Sequence, residues 1–258
     1  MPPLVLCGAM LSLSAAAVPA FAPVAAPLHA ASRAAAPVME TKAELEALAM
    51  ELNPVVGFWD PLKLSDKEFW GQSNEATIGF LRESEIKHGR IAMAGFVGFI
   101  VHSNGIRTQG DGIVAGIPEG LSAPDTWDAM PEIAKWQIIL FVGVMEALRE
   151  NKAVLAGDGE KHYMKGGKPG YFPTFDMVPH PVPFTLYDPF GATKKFSEEK
   201  KANLRLKEIN NGRLAMIGLF GFLAEGSVPG SVPLLKGVIP AYAGEVMAPF
   251  SSNIFVAP

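Results

Sequence analysis

The feature that most constrains this chain is an internal repeat that sets ionisable side chains inside two otherwise apolar helices. Residues 85–99 (EIKHGRIAMAGFVGF) align without gaps to residues 208–222 (EINNGRLAMIGLFGF) and match at 9 of 15 positions. Each copy follows an aromatic-Asp-Pro triplet, Trp59-Asp60-Pro61 in the first and Tyr187-Asp188-Pro189 in the second. Proline stops a helix from continuing and pushes the residue before it to extended backbone, so the repeat takes in the lead-in turn as well as the helix.

Two helices built alike must each dispose of their charges. Glu85 with His88, and Glu208 with Asn211, are three positions apart and share a helical face, so each helix can present two neighbouring ligands. Arg90 and Arg213 lie five positions beyond the acids, about 140° around the helix, and cannot comfortably neutralise the acid of their own helix. A pseudo-twofold crossing removes the problem by pairing Glu85 with Arg213 and Glu208 with Arg90. An unpaired charge at a bilayer centre costs about 2.5–3.5 kcal/mol on insertion scales, so intramembrane charges are normally paired and functional.

The repeat predicts a second polar position. His102 lies 14 residues after His88, and Glu225 14 after Asn211, a step that returns to within about 40° of the same face. From Glu85 to His102, or Glu208 to Glu225, is about 26 Å of helix, close to the thickness of a hydrocarbon layer. Gly95, Gly98, Gly218 and Gly221 line the interior and allow close helix approach or a flat ligand. Met93 and Met216 read as packing residues.

A third helix lies between the copies. Residues 133–149 (IAKWQIILFVGVMEALR) are mostly apolar, with Gln137 near the start and Glu146 near the end, where Arg149 is spaced to neutralise it. None of the three segments reaches about 18 uninterrupted apolar residues, so hydropathy alone leaves a soluble helical bundle open. The positive charges favour a membrane. Ten Lys/Arg fall in residues 151–207, against Arg107 alone in 103–134 and Lys236 alone in 226–258. That asymmetry puts the amino terminus and the long connector on one side, and the short connector and tail on the other. The expected fold is all-α, with transmembrane helices over about 82–102, 133–150 and 203–225, the first and third crossing by a pseudo-twofold. The long connector, with Gly157-Asp158-Gly159, Gly166-Gly167 and PTFDMVPHPVPF, is Gly/Pro-rich and not expected to form a domain of its own, with His162 and His180 facing solvent.

Composition agrees with that reading: 49% apolar and 19% charged residues, and a mean hydropathy of +0.21. A net charge of −4, with no Lys/Arg run interleaved with aromatics, argues against nucleic acid as a partner. Cys7 is the one cysteine, which leaves the folded part without a disulfide, a thiolate metal site or a cysteine nucleophile. Residues 4–20 (LVLCGAMLSLSAAAVPA) end in small residues, with Val18 and Ala20 placed for a signal-peptidase cut. The following stretch, FAPVAAPLHAASRAAAP, carries Arg33 and no acid, like a transit peptide. Residues 1–36 are therefore expected to be a bipartite plastid-targeting leader and residues 37–258 the folded domain; a hydrophobic anchor followed by a linker is the other reading.

At ESEIKHGRIAMAGF and LKEINNGRLAMIGLFGF, and over most of residues 57–225, the chain resembles the light-harvesting chlorophyll-binding superfamily. It is most similar to the red-lineage chlorophyll a/c antenna proteins of the fucoxanthin or peridinin type. The resemblance implies a multi-pass thylakoid protein, not an enzyme, that binds chlorophyll a, chlorophyll c and carotenoids of the fucoxanthin, peridinin or diadinoxanthin type. Its implied partners are membrane lipids, other antenna subunits and a photosystem core, with the amino terminus and second connector stromal. It implies magnesium only within chlorophyll, with Glu85, His88, Glu208 and Asn211 as axial ligands and Arg90 and Arg213 as their ion-pair supports. Gln137 and Glu146 resemble the middle-helix ligands. Glu225 stands where the family commonly has glutamine, and its neutralising partner is unexplained. His102 is either a ligand or a histidine at the membrane surface. Asp60 and Asp188 resemble residues near the ends of two crossing carotenoids. The tail has no histidine where many members carry a ligating one. Magnesium is a hard cation that accepts carboxylate, amide oxygen or imidazole at an axial position, which suits this set.

Other functions fit parts of the pattern. A photoprotective member of the same family would use acids on the far side of the membrane, where Asp111, Glu119, Asp125, Asp128 and Glu132 lie in what reads as a solvated loop. A pigment-free three-helix membrane protein needs no ligands. A di-iron helical bundle uses Glu-x-x-His, which Glu85 and His88 supply once, but Asn211 replaces the second histidine and the following arginine repels a dication.

Overall fold

The computed structural model describes residues 41–106, 117–118, 120–175, 188 and 191–246, all within the compact unit Ala36–Pro258. The expected leader over residues 1–36 and the positions His180, Asp111 and Glu119 lie outside the described residues. The chain is all-helical, with no strand among the described residues: α1 (Lys42–Leu52), α2 (Asn74–Ser103), α3 (Ala123–Ala129), α4 (Glu132–Arg149), α5 (Lys152–Gly157) and α6 (Glu198–Ser227).

The repeat becomes α2 and α6, each 30 residues and so about 45 Å long. Both start earlier than expected, at 74 rather than 82 and at 198 rather than 203. The physical reason is the N-cap. Ser73 accepts the Ala76 N–H and Ser197 the Lys200 N–H, each at 3.3 Å, ahead of the first apolar turn. Glu75 in one first turn, and Glu198 and Glu199 in the other, face the positive end of the helix dipole. α1 was not expected. Thr41 and Glu44 form a reciprocal capping box at its start, and Asn210 on α6 donates to the Leu52 carbonyl at 3.2 Å, fastening its end to the bundle.

α2 and α6 meet at Gly89 and Gly212. A Cβ on Gly89 would stand 3.0 Å from the Gly212 Cα, and one on Gly212 2.9 Å from the Gly89 Cα, so no side chain fits at the crossing. Further along, Gly218 lies against the Phe96 ring and Gly95 against Leu219. Phe222 stacks on Phe96 and lies across Phe99, with ring centroids 4.9 and 5.0 Å apart. Of the four glycines read from the sequence as interior, Gly95 and Gly218 are thus packed, whereas Gly98 and Gly221 have nothing within 4 Å of a built Cβ.

The pseudo-twofold extends into the lead-in turns. Asp60 accepts the N–H groups of Leu64 and Ser65 at 3.0 and 2.9 Å; Asp188 accepts those of Ala192 and Thr193 at 2.9 and 2.8 Å. Each acid therefore caps the fourth and fifth residues after it. In both turns the third residue is left-handed, Lys63 at φ 50° and Gly191 at φ 63°. The Ser65 and Leu64 N–H groups stabilise the ionised Asp60 and hold its pKa below the ordinary aspartate value.

α4 is tied to its neighbours mainly at its ends. Ala134, Lys135 and Arg149 are its buried residues, while Ile133, Trp136, Ile138, Leu140, Phe141, Val142 and Val144 are exposed around its circumference. α2 and α6 expose Ile91, Val97, Leu214, Ile217 and Phe220 in the same way. Among the described residues no helix is long and apolar enough to cross a membrane. Charged side chains interrupt the apolar run in α2 and α6, and α4 carries charges at both ends.

The first part of the long connector packs against the helices. α5 and the turn Tyr163–Lys165 begin it, and a Cβ on Gly79 of α2 would meet the Tyr163 carbonyl oxygen at 2.6 Å. Asp158 gathers the next stretch, accepting the Thr174 N–H at 2.8 Å, its hydroxyl at 2.6 Å and the Tyr171 hydroxyl at 3.0 Å. His162, expected to face solvent, is half-buried against the Tyr163 ring at 4.1 Å, and its Nδ1 accepts the Met164 N–H at 3.2 Å. Capping that turn is what draws it inward.

Gly212→Val would place a branched side chain against the Gly89 backbone. Overpacking of this kind costs about 1–3 kcal/mol, so the thermal unfolding midpoint should fall clearly. An unchanged midpoint would mean that the helices do not approach at this point.

Candidate functional site

Because Gly89 and Gly212 bring the two backbones together, the arginine after each glycine reaches the acid of the other helix. Arg213 Nε donates to Glu85 Oε1 at 2.6 Å, and Arg90 Nε to Glu208 Oε1 at 2.6 Å. The four side chains are between 24% and 42% exposed, so the pairs sit at the edge of the helix contact and not sealed within it.

The two copies are not equivalent. Glu85 has a second cationic partner, the buried Arg82 one turn earlier in its own helix. The residues C-terminal to Glu85 leave it unmatched within its own helix, and its partner there lies N-terminal. The signal was present: Leu81-Arg82 before Glu85 repeats as Leu204-Arg205 before Glu208. Arg205 is exposed, and among the described residues the bond to Glu208 comes from Arg90.

His88 and Asn211 stand beside these pairs and are both exposed. His88 Nδ1 lies 2.7 Å from the Ser84 carbonyl oxygen. A carbonyl can only accept, so Nδ1 carries the hydrogen, and in the neutral ring Nε2 presents its lone pair on the far side. That is how a ligating imidazole is usually oriented.

The middle helix departs from expectation. Arg149 does not chiefly serve Glu146, since Nη1 stays 3.8 Å from Oε1. It is buried against Glu83, and its Nε and Nη2 donate to the Tyr171 carbonyl at 3.1 and 3.0 Å. Glu83 also accepts the Gly170 N–H at 2.5 Å. This node clamps α2, α4 and the connector together, and sequence reasoning missed it because Glu83 lies outside the repeated motif. Arg149 remains a longer-range ion pair to Glu146, and the hydrogen-bonded counter-charge comes from Lys87 on α2. Gln137 is exposed on α4. Nine positions from Glu146, it lies about 180° around the helix, on the opposite face.

At the far ends of α2 and α6 the structure separates the remaining candidates. Glu225 is 2% exposed and accepts the N–H groups of Gly230 and Val232, both at 2.8 Å. Its missing neutralising partner is this pair of backbone dipoles, and the carboxylate caps the turn after α6 instead of offering an open face. His102 is half-buried in the last turn of α2. Around Asp125 and Asp128 the expected solvated loop is a short helix, α3, N-capped by Ser122. Tyr242 donates to Asp128 at 2.7 Å, and burial together with that bond pushes its hydroxyl up to about 12. Among the described residues no group of three or more His, Cys, Asp or Glu side chains converges to hold a metal ion.

Fold and site together define a helical protein whose two longest helices are copies of one another, locked by crossed Glu–Arg pairs beside an exposed imidazole and an exposed amide. The sequence model of the chlorophyll A-B binding protein family matches residues 44–227. The chain is 31% identical over 222 residues to the chloroplastic fucoxanthin-chlorophyll a-c binding protein of Trieres chinensis, covering 82% of this chain and 97% of that one. It is 29% identical over 228 residues to fucoxanthin-chlorophyll a-c binding protein B of Phaeodactylum tricornutum, covering 86% and 95%. Protein A of the same diatom is 31% identical over 173 residues, covering 65% and 73%. This chain belongs to the chlorophyll A-B binding protein family.

Arg149→Leu would strand the buried Glu83 carboxylate. Removing one partner of such a pair costs about 3–5 kcal/mol, so the variant should unfold at markedly lower temperature and become cleavable by protease between residues 158 and 175. Wild-type stability and protection would show that the clamp carries no load.

Proposed function

We propose that this chain is a light-harvesting antenna protein of the plastid thylakoid, holding chlorophyll a, chlorophyll c and a fucoxanthin-type carotenoid and serving a photosystem. The relatives' names support the pigments and the plastid, and the work so described is binding, not catalysis. The observation that carries the reading is the pair of crossed Glu–Arg bonds, each beside an exposed side chain able to ligate magnesium. When bound, chlorophyll and carotenoid supply light absorption and excitation transfer; the chain supplies positions.

Glu85, His88, Glu208 and Asn211 would hold magnesium axially, with Glu146 and Gln137 on α4. The fit is supported by the anchored His88 ring and by the open space at Gly98 and Gly221, where a flat molecule can lie. Arg213 and Arg90 neutralise the acids, because a carboxylate paired with arginine can donate a lone pair without leaving net charge in an apolar layer. Asp60 and Asp188 fix the two lead-in turns near which carotenoid ends would rest. Glu225 and the buried part of α3 hold the opposite end of the bundle in shape.

In this reading α2, α4 and α6 span the membrane, with charge paired across helices and the apolar side chains exposed on all three facing lipid or pigment. The amino terminus and second connector are stromal, where the ten basic residues of 151–207 lie. Partners are thylakoid lipids, other antenna subunits and a photosystem core.

The test combines an absorption spectrum of the purified protein with pigment counts in two variants. The wild type should show chlorophyll bands in the red. Arg90→Leu should lose the pigment on Glu208, whose cationic partner among the described residues is Arg90, whereas Arg213→Leu should be milder because Arg82 still serves Glu85. No red bands, or a full complement in Arg90→Leu, would contradict the reading.

A further inference from the structure

Lys87 occupies the third position of the Glu85-Ile-Lys-His88 motif, where the repeat places Asn210 in the other copy, so nothing in the pattern assigns it a role. Its Nζ donates to Glu146 Oε2 on α4 and lies 3.3 Å from Glu150 Oε1, one helical turn further on. Glu150 is held in turn by the Tyr163 hydroxyl at 3.1 Å. We propose that Lys87 is the positioning residue for a chlorophyll-magnesium ligand on the middle helix, Glu146, a proposal that rests on the antenna reading above.

Three observations point to this assignment. Arg149, the base spaced to serve Glu146 from its own helix, is committed to Glu83 and to the Tyr171 carbonyl, and its 3.8 Å approach to Glu146 is too long for a hydrogen bond. Lys87 bonds to Oε2, which leaves Oε1 available on a side chain that is 45% exposed. Without Lys87, Glu146 and Glu150 would be two like charges at i and i+4 on one helix, an arrangement that is itself destabilising. Lys87 thus does for α4 what Arg90 and Arg213 do for the crossed pair: a base on one helix pairs with the acid of another and holds it in place.

The full chain is refolded with chlorophyll a, chlorophyll c and fucoxanthin, and bound pigment is counted after extraction, together with the absorption difference from wild type. Lys87→Met should lose the same absorption component as Glu146→Leu, and combining the two should remove no more than either alone. Lys87→Met together with Glu146→Gln should regain that component, because a neutral amide oxygen coordinates without a counter-charge. A purely structural lysine would not give that pigment-specific rescue. Loss in Lys87→Met without regain in the double variant would overturn the positioning role. A full complement in Lys87→Met with loss in Glu146→Leu would also overturn it while leaving Glu146 a ligand. A full complement in both would remove Glu146 from the ligand set and the proposal with it.

Discussion

The structure depends on one close approach. Where Gly89 meets Gly212, the α2 and α6 backbones come nearer than any side chain allows, and the arginine beside each glycine is carried within 2.6 Å of the acid on the other helix. The order of cause is steric first and electrostatic second. Arg90 and Arg213 point away from the acids of their own helices and reach the opposite ones only because the helices touch. The same crossing sets His88 and Asn211 outward beside the pairs. Once the acids are neutralised, a helix that could not place bare charges in an apolar layer can do so and still offer lone pairs.

That logic recurs in the third helix. Glu83 with Arg149, and Glu146 with Lys87, join α4 to α2 by one base and one acid on each side. α4 is otherwise ringed by exposed apolar side chains. A helix apolar around its whole circumference is stable only when something other than water surrounds it. In the proposed function that surrounding is lipid outside and pigment between the helices, so the protein supplies a frame and the bound molecules complete the packing.

Much of this could be read from the sequence because the repeat compares the chain with itself. The five-residue offset between acid and arginine is enough to demand a crossed partner, and the aromatic-Asp-Pro triplets foretell two turns with matching hydrogen bonds. What escaped lay outside the repeat or before its apolar core. The Ser73 and Ser197 caps were legible as serine followed by acids, but the first turns of both helices are polar and carry no hydrophobic period. Glu83 and Arg82 sit upstream of the motif acid, where a run of charges looks like a solvated helix end. The connector's attachment depends on Asp158 and the Arg149 clamp, contacts between residues far apart in sequence that no local pattern encodes. Arg149 illustrates the limit most clearly: spacing of three from Glu146 is correct, yet a buried acid on another helix takes the guanidinium.

The most direct measurement of the central claim is a cryo-electron microscopy map of the pigment-loaded protein that resolves side chains. The account predicts chlorophyll rings seated on Glu85 and Glu208, with the guanidinium of Arg213 or Arg90 bonded to the same carboxylate from the opposite helix. A map in which both pairs persist but neither carboxylate faces a ring would reduce them to helix fasteners, and the claim that crossing makes the ligands would be wrong.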